Sequence, residues 1–260
     1  RSAAARAGGR YPPPGGVAPR VPRGALVLGG GGGMPAVIVR RFIELAGGPG
    51  ALIAIVPTAM ADPVPRNPGE ERMLIRAGAR NLAVLHGRTL EDVKAERFEE
   101  VLSKAGGVWF CGGRQWRLVD AYADTKVERL FHGVLKRGGV VGGSSAGASI
   151  QSSYMVRGNP LGNIDAMAEG YEKGFGFLPG AAVDQHFSQR NRLPDMEGLI
   201  ARFPQLLGIG LDEATAIIVA GSVAEVLGKH KAHFYDRDRR TRLGAGAYYH
   251  LGRRQELPVR

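Results

Sequence analysis

The chain has 260 residues, one cysteine and a formal charge of +11, from 35 Lys and Arg against 24 Asp and Glu. This length suits one large α/β domain or two small ones, and it buries enough surface to fold without a disulfide or metal staple. The lone Cys111 excludes an internal disulfide, no Cys/His cluster has zinc spacing, and no apolar run approaches the ~20 residues of a membrane span. A hydrophobic content of 44% excludes a largely disordered chain. The charge excess sits at the ends. Residues 1–23 hold five Arg and no acid, residues 229–260 hold nine basic and three acidic side chains, and the stretch between is neutral. Without a basic stripe interleaved with aromatics, the core carries no nucleic-acid groove.

Residues 1–22, rich in Ala, Arg, Gly and Pro, read as a flexible basic arm. Residues 23–260 read as a single α/β hydrolytic domain. No apolar signal segment is visible, so the arm fits either a cytoplasmic protein or one exported after signal removal. Along the domain, residues 25–28 form a short apolar strand running into five glycines, Gly29 to Gly33. Pro35 opens a helix through Leu45, since proline suits a first helical turn. Strands are predicted at 51–56, 82–85, 108–111 and 140–141, and helices at 91–103 and 118–135. Residues 146–154 are helix-compatible, and 215–219 with 224–227 form a hairpin turning at Gly221-Ser222. Short apolar strands alternating with helices predict a three-layer α/β fold: a mostly parallel sheet with helices on both faces.

Gly143-Ser144-Ser145-Ala146-Gly147 is a G-x-S-x-G segment between a strand and a helix-compatible stretch. A nucleophile elbow needs this context, because a serine on a sharp turn tolerates only small neighbours. Its bland alternative is a glycine-rich turn with capping serines. A serine needs a base, and of six histidines His186 stands out, at the end of an apolar stretch in Asp184-Gln185-His186-Phe187. Arg190 and Arg192 follow and suggest an anionic ligand. A base needs an orienting carboxylate, and Asp212 and Glu213 both stand before the strand at 215. Cys111-Gly112-Gly113-Arg114-Gln115 ends a strand and opens a helix. Its glycines let backbone N–H groups approach an oxyanion. Gln115 is placed to reach a substrate amide, and Cys111 is a rival nucleophile without an elbow.

These segments, with Val56-Pro57-Thr58-Ala59 and Glu225-Val226-Leu227-Gly228, resemble the cyanophycinase branch of the serine peptidase family that also contains the aspartyl dipeptidases. The resemblance covers residues 24–236. It implies a class I glutamine amidotransferase-like, flavodoxin-like fold and a triad of Ser145, His186 and Glu213, with Asp212 second for the last role. It further implies an oxyanion hole at the N–H groups of Gly113 and Ala146. The substrate pocket maps to Gln115, Asp184, Gln185, Arg190 and Arg192. The implied reaction is release of β-Asp-Arg dipeptides from multi-arginyl-poly-aspartate, with no metal or organic cofactor. An Asp/Arg-rich polypeptide is the implied partner, and a homodimer is suggested. One position departs: Asp195 stands where the family carries a third arginine, with Arg254 a possible substitute. That favours, as the alternative substrate, a shorter aspartyl or isoaspartyl dipeptide. From another class, the alternative is a catalytically silent binding module.

Overall fold

The computed structural model describes residues 11–89 and 91–258. In chain order the elements begin β1 (Val21–Gly29), α1 (Ala36–Leu45), β2 (Leu52–Val56), α2 (Gly69–Arg76), β3 (Asn81–Val84), α3 (Ala95–Leu102) and β4 (Gly107–Phe110). They continue α4 (Gln115–Tyr122), α5 (Lys126–Lys136), β5 (Val140–Ser144), α6 (Ala146–Ser149), β6 (Ser152–Met155), β7 (Leu178–Gln185) and α7 (Leu193–Arg202). The last part is all strand: β8 (Leu207–Leu211), β9 (Thr215–Gly221), β10 (Val223–Gly228), β11 (Ala232–Asp236), β12 (Arg239–Leu243), β13 (Tyr248–His250) and β14 (Gln255–Leu257).

The strands form two sheets. The larger runs β14-β13-β10-β9-β1-β5-β4-β2-β3, the smaller β12-β11-β8-β7-β6. The five strands β1, β5, β4, β2 and β3 are parallel, as the alternating pattern predicts. Their side chains alternate between two cores. Leu26, Leu28, Val108 and Phe110 pack with Phe98 of α3 and Phe131 of α5, while Val27, Ile53, Ile55 and Trp109 pack with Phe42 of α1 and Leu74 of α2. A third core lies between α7 and the smaller sheet, around Phe187, Met196 and Ile200. The fold is a mixed α/β, amidotransferase-like one.

The structure corrects the reading of a mostly parallel sheet. β9, β10, β13 and β14 extend the larger sheet antiparallel, with β9–β10 and β13–β14 joined as hairpins rather than through helices. The single helix expected over 118–135 is two, divided where Asp124 takes φ 60° and Thr125 caps α5. The helix-compatible stretch 146–154 gives only the four-residue α6 before β6 begins. Residues 11–22 of the expected arm pack on the domain. Tyr11 stacks on Tyr154 and donates its hydroxyl to the Ser153 carbonyl, Gln205 Nε2 donates to the Pro13 carbonyl, and Val21 already belongs to β1. The rest of that arm, residues 1–10, lies outside the described residues.

The break before α5 is held by a reciprocal cap. The Thr125 hydroxyl accepts from the Glu128 N–H at 3.4 Å, and the Glu128 carboxylate accepts from the Asp124 N–H at 2.6 Å. Thr125→Ala is expected to lower stability by about 1 kcal/mol, read as a lower urea midpoint at unchanged m. Active-site labelling should be unaffected.

Candidate active site

Three strand ends build the site. In the parallel pair of β1 with β5, Gly29 stands opposite Ser144, so the Gly30 to Gly33 loop emerges beside Ser145. In the antiparallel pair of β1 with β9, Gly29 stands opposite Ala216, which brings Glu213 to the same loop. In the smaller sheet Gln185 stands opposite Leu211, so His186 leaves β7 next to the Asp212-Glu213 turn. Three successive glycine carbonyls then tie these segments together. Gly29 O accepts from Ser145 N–H at 3.0 Å, Gly30 O from His186 N–H at 2.7 Å, and Gly31 O from Ala214 N–H at 2.9 Å. The loop must be glycine where it touches His186. Gly31 has φ +98°, and a Cβ there would lie 2.3 Å from His186 Cε1.

Ser145 sits at φ 56° and ψ −119°, a strained position for a residue with a side chain. The flanking glycines make it reachable. A Cβ on Gly143 would fall 2.6 Å from the Gly147 carbonyl oxygen, and one on Gly147 would fall 2.1 Å from that of Phe110. Ser145 Oγ lies 2.9 Å from His186 Nε2, and His186 Nδ1 lies 2.6 Å from Glu213 Oε1. The N–H of Ala146, first in its helix, and that of Gly113 have no protein acceptor among the described residues. Gly113 is fixed by close approach. It takes φ +137°, its Cβ position would overlap the Ala59 carbonyl, and that carbonyl accepts from Arg114 N–H and Arg117 Nη1.

The structure separates the two acids that the sequence left as alternatives. Asp212 is buried and takes no part with His186. Its Oδ1 accepts from Ser188 N–H at 3.0 Å and faces His233 Nε2 at 3.2 Å, and its Oδ2 accepts from Lys231 N–H at 3.1 Å. Burial alone would raise its carboxyl, but the bonds from His233 and Ser188 outweigh it and hold the pKa at about 2. Its support of the His186 turn is therefore complete at neutral pH and is lost only as pH falls through that value.

The expected substrate pocket is largely spoken for by the protein itself. Gln115 is 3% exposed, and its Nε2 donates to the Val156 carbonyl at 2.6 Å. Asp184, 1% exposed, is clasped by Arg157 and Arg192, and Arg192 Nη1 also donates to the Gln185 carbonyl and side-chain oxygen. Gln185 Nε2 reaches Ser149 Oγ at 3.3 Å. Of the five, only Arg190 is exposed. The charge reversal at Asp195 is compensated, because Asp195 Oδ2 accepts from Arg157 Nη2 at 2.6 Å. Arg254 plays no part there. It binds Asp236 and the carbonyls of Gln205 and Leu206. Cys111 is fully buried, and burial followed by the nearby Glu70 carboxylate pushes its thiol well up, which disfavours a thiolate nucleophile. Arg157, His233 and the glycine-loop carbonyls were not singled out from sequence. Only the run of five glycines marked any of them.

Comparison with known proteins gives the class: the chain is a serine-type peptidase. It belongs to peptidase family S51, whose model matches residues 25–227. It is 34% identical over 195 residues to a cyanophycinase from Geminocystis herdmanii, covering 74% of this chain and 72% of that protein. A cyanophycinase from Nostoc is 30% identical over 225 residues, covering 85% and 74%. Among solved structures, a peptidase from an acI-B1 Actinobacterium superposes with a TM-score of 0.70 at 23% identity, over 88% of this chain and 97% of that one. Among the described residues no helix is long and apolar enough to cross a membrane.

Burial lowers the His186 pKa below the usual histidine value. The bond to Glu213 works the other way, and the charges of Arg190 and Arg192 add to the lowering. A base works only when neutral, so the acid limb of activity should fall below the ~6.5 of an ordinary histidine. Arg190→Gln should move that limb to higher pH and Glu213→Gln to lower pH, measured as the rate of fluorophosphonate labelling against pH.

Proposed function

We propose that this chain is a serine exopeptidase using Ser145, His186 and Glu213, and that it releases β-Asp-Arg dipeptides from multi-arginyl-poly-aspartate. The observation that carries the reading is the continuous Oγ–Nε2 and Nδ1–Oε1 relay of 2.9 and 2.6 Å on a strained elbow. The relatives named cyanophycinase support the substrate. The released dipeptide keeps its isopeptide link, so the bond cut is the main-chain amide between successive aspartates.

Ser145 Oγ attacks the carbonyl carbon of that amide while His186 Nε2 takes the hydroxyl proton. Glu213 holds Nδ1–H, fixes the tautomer and stabilises the imidazolium that forms. Charge on the tetrahedral oxygen is met by the N–H groups of Gly113 and Ala146, and each such donor is worth about 10²–10³ in kcat. As the intermediate collapses, the C–N bond breaks and His186 returns the proton to the leaving amine. Water then hydrolyses the acyl-enzyme by the same base. No step needs a metal or an organic cofactor.

A second reading, an aspartyl or isoaspartyl dipeptidase, is favoured by the Asp195–Arg157 pair, which places an acid where the related pattern has a cation. Both readings share Ser145. Incubation with the polymer should release β-Asp-Arg, detected by mass spectrometry, and Ser145→Ala should lose this activity with little change in melting temperature. Turnover retained by that variant would overturn the assignment. No release by a parent protein whose Ser145 still labels would move the substrate to the α- and β-aspartyl dipeptides.

A further inference from the structure

Charged side chains around the nucleophile sort into paired and unpaired. Asp62 is held by Arg88, Asp184 by Arg157 and Arg192, Asp195 by Arg157, Asp212 by His233 and Glu213 by His186. Glu70 differs. Among the described residues no Lys, Arg or His lies within ion-pair distance of its half-buried carboxylate. Its Oε1 accepts from the Gly112 N–H at 3.3 Å. Gly112 is the wall of the site, since a Cβ there would lie 3.5 Å from Ser145 Cβ, and the next residue carries one of the two free N–H groups. An unneutralised carboxylate therefore stands about one peptide unit from the position where negative charge develops. Left alone it would oppose the reaction.

Arg190 is the converse case. It is exposed, it has no acid within ion-pair distance among the described residues, and its N–H donates to the His186 carbonyl. The sheet order gives the two charges sides. β5, which ends just before Ser145, lies between β4 and β1. Glu70 approaches at the end of β4, with Gly113. Arg190 lies with the base, which contacts the loop after β1. The base protonates the leaving amine, so the leaving group occupies the Arg190 side and the acyl residue the Glu70 side.

We propose that Glu70 is a specificity-determining residue whose carboxylate receives a cationic side chain carried by the acyl residue of the substrate, a guanidinium when that residue is an arginyl-aspartate. The inference rests on the serine peptidase reading of the same site. A substrate cation turns a carboxylate that opposes the oxyanion into one that anchors the substrate. A neutral substrate forfeits the contact and keeps the repulsion.

The test compares two aspartyl peptides that differ only in the acyl residue, one bearing β-linked arginine and the other β-linked citrulline, its neutral isostere. The parent enzyme should favour the arginyl peptide by about 10- to 100-fold in kcat/KM, the range of a hydrogen bond to a charged group. Glu70→Gln should bring that ratio near unity while cleaving the citrulline peptide at least as fast as the parent does. Glu70→Lys should invert the preference. A retained ratio in Glu70→Gln would overturn the proposal, and so would an equal loss on both peptides, which would make Glu70 only a prop for Gly112. If the parent cleaves neither peptide while fluorophosphonate labels Ser145, the Glu70 proposal falls and the peptidase reading stands. Failure of Ser145 to label would fall on the peptidase reading itself.

Discussion

Three hydrogen bonds from one glycine loop fix the geometry on which the chemistry depends. The carbonyls of Gly29, Gly30 and Gly31 hold the Ser145 peptide, the His186 peptide and the peptide after Glu213 in turn. The three side chains come from three different segments, on two sheets. No two of them are near in sequence, and each segment would otherwise be free to shift by the ångström that breaks a relay. A backbone with no side chains can approach all three at once. This accounts for glycine at 30 and 31, where a Cβ would lie 1.9 Å from the Asp212 carbonyl oxygen and 2.3 Å from His186 Cε1.

Around this cradle the protein places buried charge only where it is paired. Asp184 stands two residues before His186, and Arg157 and Arg192 clasp it from different segments. Removing one partner of such a buried group typically costs ~3–5 kcal/mol, because the other charge is left uncompensated. The network therefore makes the strand end rigid. Asp212 does the same on the other side of the turn through Ser188 and His233. Among the described residues, Glu70 and Arg190 have no such partner, and Arg114 and Arg117 beside Gly113 donate only to backbone carbonyls.

Much of this was legible in the sequence where local sterics dictate a residue type. The elbow needs glycine at 143 and 147 because carbonyl oxygens lie where their side chains would be. The hairpin at 215–228 follows from alternation and its Gly-Ser turn. Legibility failed where a partner lies far along the chain. Arg192 and Arg190 look alike in sequence, yet one is buried on Asp184 and the other is exposed. Asp212 and Glu213 are adjacent acids, and only their opposite directions in space set Glu213 against His186 and Asp212 against His233. α2 went unread because Leu74 is its one fully buried side chain, too little for an amphipathic signal. β12 reads as a basic tail, since Arg239, Arg240 and Arg242 sit on an edge strand, where charge blocks edge-to-edge pairing.

The glycine loop sets the relay, and Gly31→Ala tests this most directly. The added methyl collides with the His186 ring and must be borne at φ +98°, while all three triad side chains remain in the sequence. Fluorophosphonate labelling of Ser145, measured beside a thermal melt, gives the answer. A folded variant that labels at least 100-fold more slowly than the parent is the predicted result. Labelling at the parental rate would mean that the triad holds its geometry without the loop.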